Sequence, residues 1–358
     1  MLFYLLPFII VLGIMIFFHE LGHFLVAKFF NVKVLKFALG FGPKIVGKDV
    51  GETEYSIRYV PLGGFVKMLG EDEEDEEIPD LPPEEMERAF NRKPPFKRMA
   101  IVAAGPVFNL VLALFLFFGI FLIAGNYVMT AEIGEVRPGT PAEMAGMQEG
   151  DLIIAIQDQA INSWEDMKVL VQEKAAIPLV FTVKRGDRLL TMTVTPEISM
   201  VKNEFGEEIR SGLIGIVSAQ KAEMQELTPW QAVKESFLET WKWIRLTCLV
   251  VVKLFQGIVP LKTLGGPIMI GQMTGQLVQE SISYLVPFMA IISINLGILN
   301  LFPIPILDGG VIIFLIIELI MGRPLSLRSR EIAQKIGFSL LILLMVVVFY
   351  NDILRLIK

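Results

Sequence analysis

The sequence predicts a polytopic α-helical membrane protein: four transmembrane helices, the third one broken, an inserted α+β domain and a short membrane-associated β region. Three observations carry this. The 358-residue chain is 53% hydrophobic with a mean hydropathy of +0.59, too apolar for an ordinary soluble domain. Charged residues still make up 20%, too many for a bare helical bundle in lipid, so a water-exposed part must accompany the spans. Long apolar runs also alternate with mixed polar segments. This composition excludes a disordered, collagen-like or disulfide-scaffold protein.

The first element covers residues 1–30. Residues 2–18 are almost unbroken apolar sequence. No basic residue precedes the run and no small-residue cleavage site ends it, so the expectation is a retained transmembrane helix, not a signal peptide. Residues 31–97 are polar and mixed, and glycines punctuate strand-like stretches at 54–60 and 65–69, as short strands and turns would require. Glu71-Asp72-Glu73-Glu74-Asp75-Glu76-Glu77 and the Pro-rich stretch after it read as a solvated linker. That run dominates the net charge of −6; without it the chain would stand at +1.

Residues 98–124 are the second span, with Gly105-Pro106 near its start and Asn109 as its strongly polar residue. The character then changes. Over residues 127–200, alternating segments at 153–156, 179–184 and 189–194 flank a helical stretch at 164–173, which predicts a compact α+β domain. Residues 201–284 are expected to hold a polar connector to about 226 and then an interfacial helix. Trp230, Val233, Phe237, Trp241, Ile244 and Cys248 fall at spacings of three and four, while Lys234, Lys242, Arg245 and Lys253 spread charge along the segment. That suits a helix lying at the membrane surface. The third span, 285–320, is interrupted by Pro303, Pro305 and Asp308-Gly309-Gly310; the fourth covers 333–354.

Basic residues set the orientation. Lys28, Lys33 and Lys36 follow span one, Arg92, Lys93, Lys97 and Arg98 precede span two, and Arg323, Arg328 and Arg330 follow span three. These place the N-terminus outside, residues 31–97 and 321–332 in the cytoplasm, and residues 125–284 outside. No basic stripe suggests nucleic-acid binding. The single cysteine, Cys248, gives neither an internal disulfide nor a redox motif.

The chemistry concentrates in His19-Glu20-Leu21-Gly22-His23. Positions i and i+4 of a helix share a face, so both imidazoles can reach one metal, with Glu20 beside them to take a proton from the attacking water. Three ionisable groups inside an apolar helix are costly, which marks them as functional. Two histidines hydrogen-bonding within a bundle would leave Glu20 without a partner. Such a site needs a third protein ligand, and Asp308 is the only acidic residue between Leu285 and Ile316. His19 lies about 26 Å along a helix entering from outside, and Asp308 lies near the same level if span three also enters from outside.

The His19–His23 motif and the stretch Asn300, Asp308, Gly310 are accompanied by Phe41-Gly42-Pro43-Lys44, by Gly63-Gly64-Phe65-Val66-Lys67-Met68, and by Gly105-Pro106 with Asn109. In this combination the chain resembles the bacterial site-2 protease family of intramembrane zinc metalloproteases, over nearly its whole length. Val311 departs from the pattern, since close relatives often carry His there; the expected ligand set does not involve it. A second departure is a single domain at 127–200, where some relatives carry two in tandem.

The resemblance implies that residues 127–200 form a PDZ domain, consistent with Gly134-Glu135-Val136, Thr140-Pro141-Ala142 and Glu149-Gly150-Asp151. Its groove is expected at Ile133, Gly134, Glu135 and Val136, where an extended segment would add to a sheet edge; a size filter that blocks bulky ectodomains is a compatible alternative. Zn²⁺ is expected on His19, His23 and Asp308, with Glu20 as catalytic base. Asn300 is expected to donate to the substrate backbone or to the developing oxyanion. Pro303, Pro305, Gly63, Gly64 and Phe65 are the remaining expected substrate contacts. The implied partners are membrane lipid and single-span membrane proteins already trimmed outside, such as anti-sigma factors, with remnant signal peptides as a further candidate. The implied location is the bacterial cytoplasmic (inner) membrane. A silent adaptor would be expected to lack Glu20 or a ligand, and a transporter to show an inverted repeat; the sequence shows neither.

Overall fold

The computed structural model describes residues 2–71 and 82–357. The acidic linker expected from Asp72 to Glu77 lies outside the described residues. The chain divides into two units, one of Met1–Ile120, Val233–Leu254 and Pro260–Lys358, the other of Phe121–Ala232 with Phe255–Val259.

The first unit begins with α1 (Leu2–Phe29), whose apolar side chains leave the backbone to satisfy its own hydrogen bonds. It stops because Asn31 takes a left-handed conformation (φ 54), and the amides of Val32 and Asn31 fold back to Ala27 O and Lys28 O at 2.8 and 3.0 Å. This Schellman closure caps the last carbonyls. It delivers the chain into β1 (Val34–Val50) and β2 (Thr53–Met68).

Both strands are bent. Residues 34–39 pair with 64–68 in opposite directions (Val34↔Met68, Leu39↔Gly64) and, on their other side, with 54–57 in rising register (Lys36↔Glu54, Leu39↔Ile57). Residues 44–50 then pair antiparallel with 58–53. The short strands expected at 54–60 and 65–69 are therefore parts of one long strand. The bend in β1 falls at Gly40, where φ is +91 and a Cβ would lie 2.7 Å from Val60 O. Val34, Phe37, Val66 and Met68 bury with Ala27, Val32 and Ile101, so the sheet is packed onto α1 and the helix after it. Among the described residues, 64–68 pair on one side only.

After α2 (Pro83–Met86) comes α3 (Pro95–Ala124), which has Pro at its first position, where the missing N–H costs nothing. In the second unit, β3 (Asn126–Met129), β4 (Ile133–Val136) and α4 (Pro141–Met144) lead into β5 (Leu152–Ile156), β6 (Gln159–Ala160), α5 (Trp164–Glu173), β7 (Leu179–Arg185) and β8 (Arg188–Val194). The sheet order is β6-β5-β7-β8. Leu179, Phe181 and Val183 alternate inward along β7 onto Ile133, Ile153, Ile156, Met167 and Val171. Ser163 caps α5 by accepting from the Asp166 amide at 3.0 Å.

The boundary expected at residue 200 falls inside β9 (Glu197–Lys202), and the polar connector expected after it is folded. β10 (Glu208–Leu213) closes a hairpin with β9, β11 (Ile216–Ser218) pairs with β4, and β12 (Ala222–Gln225) pairs with β3. The segment looked like a connector because these strands are short and mostly polar: Glu208, Arg210 and Glu223 lie exposed within them.

The first unit resumes in α6 (Pro229–Phe255), α7 (Pro267–Glu280), α8 (Ile282–Asn300), α9 (Asp308–Met321) and α10 (Leu327–Ile357). Among the described residues, four helices are long and apolar enough to cross a membrane: Leu5–Phe29, Pro95–Ala124, Ile282–Asn300 and Leu327–Ile357. Residues 301–307 separate α8 from α9 without helix. α7 falls in a stretch expected to be connector. Its first amides are held by the buried Asp352 of α10, which accepts from Gly266, Ile268 and Met269 N–H at 2.9, 3.0 and 3.1 Å.

Two carboxylates outside the apolar helix interiors, Asp151 and Glu52, are held by cationic partners. Asp151 is fully buried and accepts from Arg185 Nε and Nη2 at 2.6 and 2.7 Å. Arg185→Ala strands that carboxylate and is expected to lower local stability by about 2–3 kcal/mol; hydrogen exchange of the β5 amides should accelerate accordingly, and unchanged exchange would refute the assignment. Glu52 accepts from Arg88 Nη2 at 2.7 Å and Lys28 Nζ at 2.5 Å. These bonds, Arg88 first, hold its carboxyl down to about 2. A depressed folded value stabilises fully above the unfolded value of about 4.3 and is lost as pH falls through the folded one. The stability advantage of wild type over Glu52→Gln should therefore be present at pH 7, shrink as pH falls below about 4 and vanish only below about 2. A gap that persists there would count against the pairing.

Candidate active site

α1 and α3 approach closely because both are glycine at the crossing. A Cβ on Gly22 would lie 2.3 Å from Ala104 O, and one on Gly105 would lie 2.3 Å from His23 Nε2 and 2.8 Å from His19 Cε1. Small residues let apolar helices pack backbone to backbone. Here they leave room for the two imidazoles, set edge to face at 86°, against α3.

Each histidine is then held from behind. His23 Nδ1 lies 2.9 Å from Ile101 O, a carbonyl that can only accept, so Nδ1 carries the proton and the Nε2 lone pair points inward. His19 Nδ1 lies 3.3 Å from the Asn109 side-chain amide. The two Nε2 atoms are 3.3 Å apart, and Asp308 brings Oδ2 to 3.3 Å from His19 Nε2 and Oδ1 to 3.6 Å from His23 Nε2.

Asp308 reaches this point because the non-helical 301–307 segment folds tightly over the first turn of α9. Gly309 and Gly310 make room for it: a Cβ on either would come within 2.2 Å of Leu301 O or Ile304 O. Gly310 and Val311 amides bond Leu307 O at 2.9 and 3.2 Å.

The ligand-type atoms of His19, His23 and Asp308 all lie within 4.8 Å of one another. Two nitrogens and a carboxylate oxygen converging on one point are the donor set of a catalytic zinc, and two nitrogens on one tetrahedral zinc lie roughly 3.3 Å apart. The residues present therefore fit the ion. Glu20, 9% exposed, lies beside them. Gly64 of β2 packs against it: a Cβ there would lie 2.9 Å from Glu20 Cγ. These groups open onto a cavity of about 420 Å³ that Phe65, Val66 and Val311 also line, so Gly64, Phe65, Val66 and Met68 of the sheet edge face the same space.

Of the residues singled out in the sequence, His19, Glu20, His23, Asp308, Gly64 and Phe65 line this cavity; Asn300, Pro303, Pro305 and Gly63 are not among its lining residues. Asn300 ends α8, half-buried. Pro305 packs against α10 at Gly337, where a Cβ would lie 3.1 Å from Pro305 Cδ. Gly63 sits under the Phe41 ring. At the expected groove, Ile133–Val136, β4 is paired along one side and held at Ile133 on the other. Ile216–Ser218 pair along one side, and Ile133 bonds Asp151 O and Gly150 N on the other at 2.8 Å each.

Sequence reasoning missed the buried ion pair between Arg98 of α3 and Glu318 of α9. It ties the helix that positions His23 to the helix that begins with Asp308. The signal was available: Glu318 is the acidic residue within the apolar run of α9.

The class that this geometry defines within apolar helices is a membrane metalloprotease that uses Zn²⁺. The sequence profile of peptidase family M50 matches residues 7–344, and the chain belongs to that family, the site-2 proteases. The zinc metalloprotease RasP of Geobacillus kaustophilus is 33% identical over 419 residues, covering 98% of this chain and 97% of that protein. A protein of Agrobacterium fabrum that carries the zinc metalloprotease name is 34% identical over 363 residues, covering 99% and 96%. Among solved structures, the PDZ domain of an SdrC-like protein from Listeria monocytogenes aligns with 25% of this chain and 88% of its own length, at 20% identity and a TM-score of 0.21, a likeness too slight to argue from.

Gly105→Ala is expected to force α1 and α3 apart and to cost about 1–3 kcal/mol, read as a lower melting temperature of the detergent-solubilised chain. Gly119→Ala on the same helix, where a Cβ would meet nothing within 4 Å, is the control and should leave the melting temperature unchanged. Equal behaviour of the two variants would refute the packing argument.

Proposed function

We propose that the chain is an intramembrane endopeptidase that cleaves transmembrane segments of single-span membrane proteins already trimmed outside, anti-sigma factors being the substrate class the family resemblance favours and remnant signal peptides a further candidate. The observation that carries this is the convergence of His19, His23 and Asp308 beside Glu20, in a cavity bounded by apolar helices and a sheet edge. His19, His23 and Asp308 are the residues that would hold zinc. When bound, the ion supplies Lewis-acid polarisation of the scissile carbonyl and makes water acidic enough to attack at neutral pH.

The remaining steps belong to the chain. The Glu20 carboxylate takes the proton of the attacking water and returns it to the leaving amine nitrogen. Asn300, at the end of α8, would have to move toward the cavity to donate to the substrate backbone or the oxyanion. A helical substrate hides its carbonyls and must unwind; residues 64–68 can hold the unwound segment by strand addition, with Gly64 leaving the space between edge and Glu20 clear.

In this reading the N-terminus and residues 125–284 are extracytoplasmic, the site lies toward the cytoplasmic face of the bacterial inner membrane, and spans three and four are α8–α9 and α10. α6 lies in the interface. The β-rich unit acts as a PDZ domain that recruits or filters substrates. Since β4 is paired along one side and held at Ile133 on the other, the edge for an incoming segment falls to β11, which pairs on its β4 side only among the described residues.

The test is cleavage of a tagged single-span substrate with a truncated ectodomain, together with the zinc content of each purified protein. Glu20→Gln should keep its zinc and lose at least about 10²-fold in rate, whereas Asp308→Asn should lose zinc and cleavage together. Undiminished cleavage by Glu20→Gln would remove it as the base, and an inactive, zinc-loaded wild type tested over several such substrates would overturn the substrate class.

A further inference from the structure

We propose that Asn109 is the positioning residue of His19, with its side-chain carbonyl accepting a hydrogen bond from His19 Nδ1–H; this rests on His19, His23 and Asp308 being the zinc ligands. Asn109 is fully buried in an apolar helix, and a polar side chain there persists only where it is satisfied. Its Nδ2 lies 3.3 Å from His19 Nδ1, while its Oδ1 is buried with no hydrogen-bond partner. An amide presents oxygen and nitrogen at nearly equivalent positions, and a half-turn of the terminal group exchanges them without moving a carbon.

The two orientations have opposite consequences for His19. If the amide nitrogen donates to Nδ1, the neutral ring must carry its proton on Nε2. That proton would point into the space shared with His23 Nε2 and Asp308 Oδ2, each 3.3 Å away, and a protonated nitrogen cannot ligate a metal. If the carbonyl faces the ring instead, Oδ1 gains a donor, Nδ1 keeps its proton and the Nε2 lone pair points at Asp308. His19 then has the same tautomer as His23, whose Nδ1 faces Ile101 O.

Ile101, Gly105 and Asn109 follow at intervals of four residues and share one face of α3. The outer two residues supply acceptors, one to each histidine, and the central glycine leaves room for the rings. α8 holds Asn109 from the far side. Ser293 Oγ donates to Asn109 O at 2.8 Å, and a Cβ on Gly297 would lie 2.9 Å from Pro106 O and 3.4 Å from Asn109 Cβ.

His19 and His23 are the two histidines of the chain, so a nitrogen-15 histidine spectrum of the full chain, purified without a histidine tag, contains two rings. The zinc-loaded wild type should show both with protonated Nδ1. Asn109→Leu should change one ring and weaken zinc about 10–100-fold against a competing chelator. Asn109→Asp, which keeps an acceptor, should hold zinc within about threefold of wild type or more tightly. Wild-type zinc affinity and an unchanged ring in Asn109→Leu would overturn the proposal. Should Asn109→Leu not fold, Asn109→Asp decides alone: a loss of tenfold or more would overturn it. A wild type that binds no stoichiometric zinc would instead overturn the ligand assignment on which the proposal stands.

Discussion

The site depends on α1 and α3 lying closer together than two ordinary apolar helices can. Gly22 and Gly105 are where that distance is set, each facing the opposite helix with no room for a methyl group. In lipid no hydrophobic driving force presses helices together, so close packing and a few buried polar bonds must supply the association. The contact does both. It brings backbone against backbone, and it places two acceptors of α3 behind the two histidines of α1. A metal ligand whose second nitrogen is already bonded cannot rotate away or change tautomer, so the helix pair fixes the chemistry of the rings as well as their position.

Asp308 is brought to the same point by a different device. The chain between α8 and α9 gives up helix over residues 301–307, and an irregular segment among apolar helices needs protein to cover it. Here the cover is its own neighbour: Gly309 and Gly310 let the segment lie against the first turn of α9, and Gly337 admits Pro305 against α10. The Arg98–Glu318 pair then fastens α9 to α3. Breaking a buried pair leaves an uncompensated charge, so it penalises sliding of one helix past the other more than it adds to stability. Both histidines and the Asp308 carboxylate are thus referred to one helix, α3.

The cluster was legible from sequence because its signals are local. His19 and His23 at i and i+4 declare a shared face, and Asp308 stands out as an acid in an apolar span. The spans were legible for the same reason, as were the alternating strands around Phe181. What could not be read is what depends on distant pairing. Ile216–Ser218 is three residues long, and nothing local says that it occupies one edge of β4, where the groove was expected. The segment after residue 200 looked like a connector because its strands are short and polar, and α7 did because its N-terminal carboxylate comes from Asp352, 86 positions from Gly266. Asn109 falls between these cases. Its polarity was conspicuous, but its partner lies 90 positions away in sequence, and only the approach of the helices shows that it faces an imidazole.

The sheet edge and the cluster meet at one more glycine. Gly64 lies against Glu20 with its absent Cβ only 2.9 Å from Cγ, so the stretch that could hold an extended segment runs past the carboxylate without a side chain between them. A β-branched residue there would either displace Glu20 from the histidines or lift the edge out of the cavity. Membrane proteases must solve a problem that soluble ones do not: the bond to be cut is inside a helix, and a helix in lipid gains nothing by opening. A sheet edge can offer an opened backbone the hydrogen bonds that lipid denies it, and Gly64, Phe65, Val66 and Met68 of this edge line the cavity that holds Glu20. The position of Gly64 couples those two requirements, since the residue that lets the edge approach is also the one that leaves Glu20 its room.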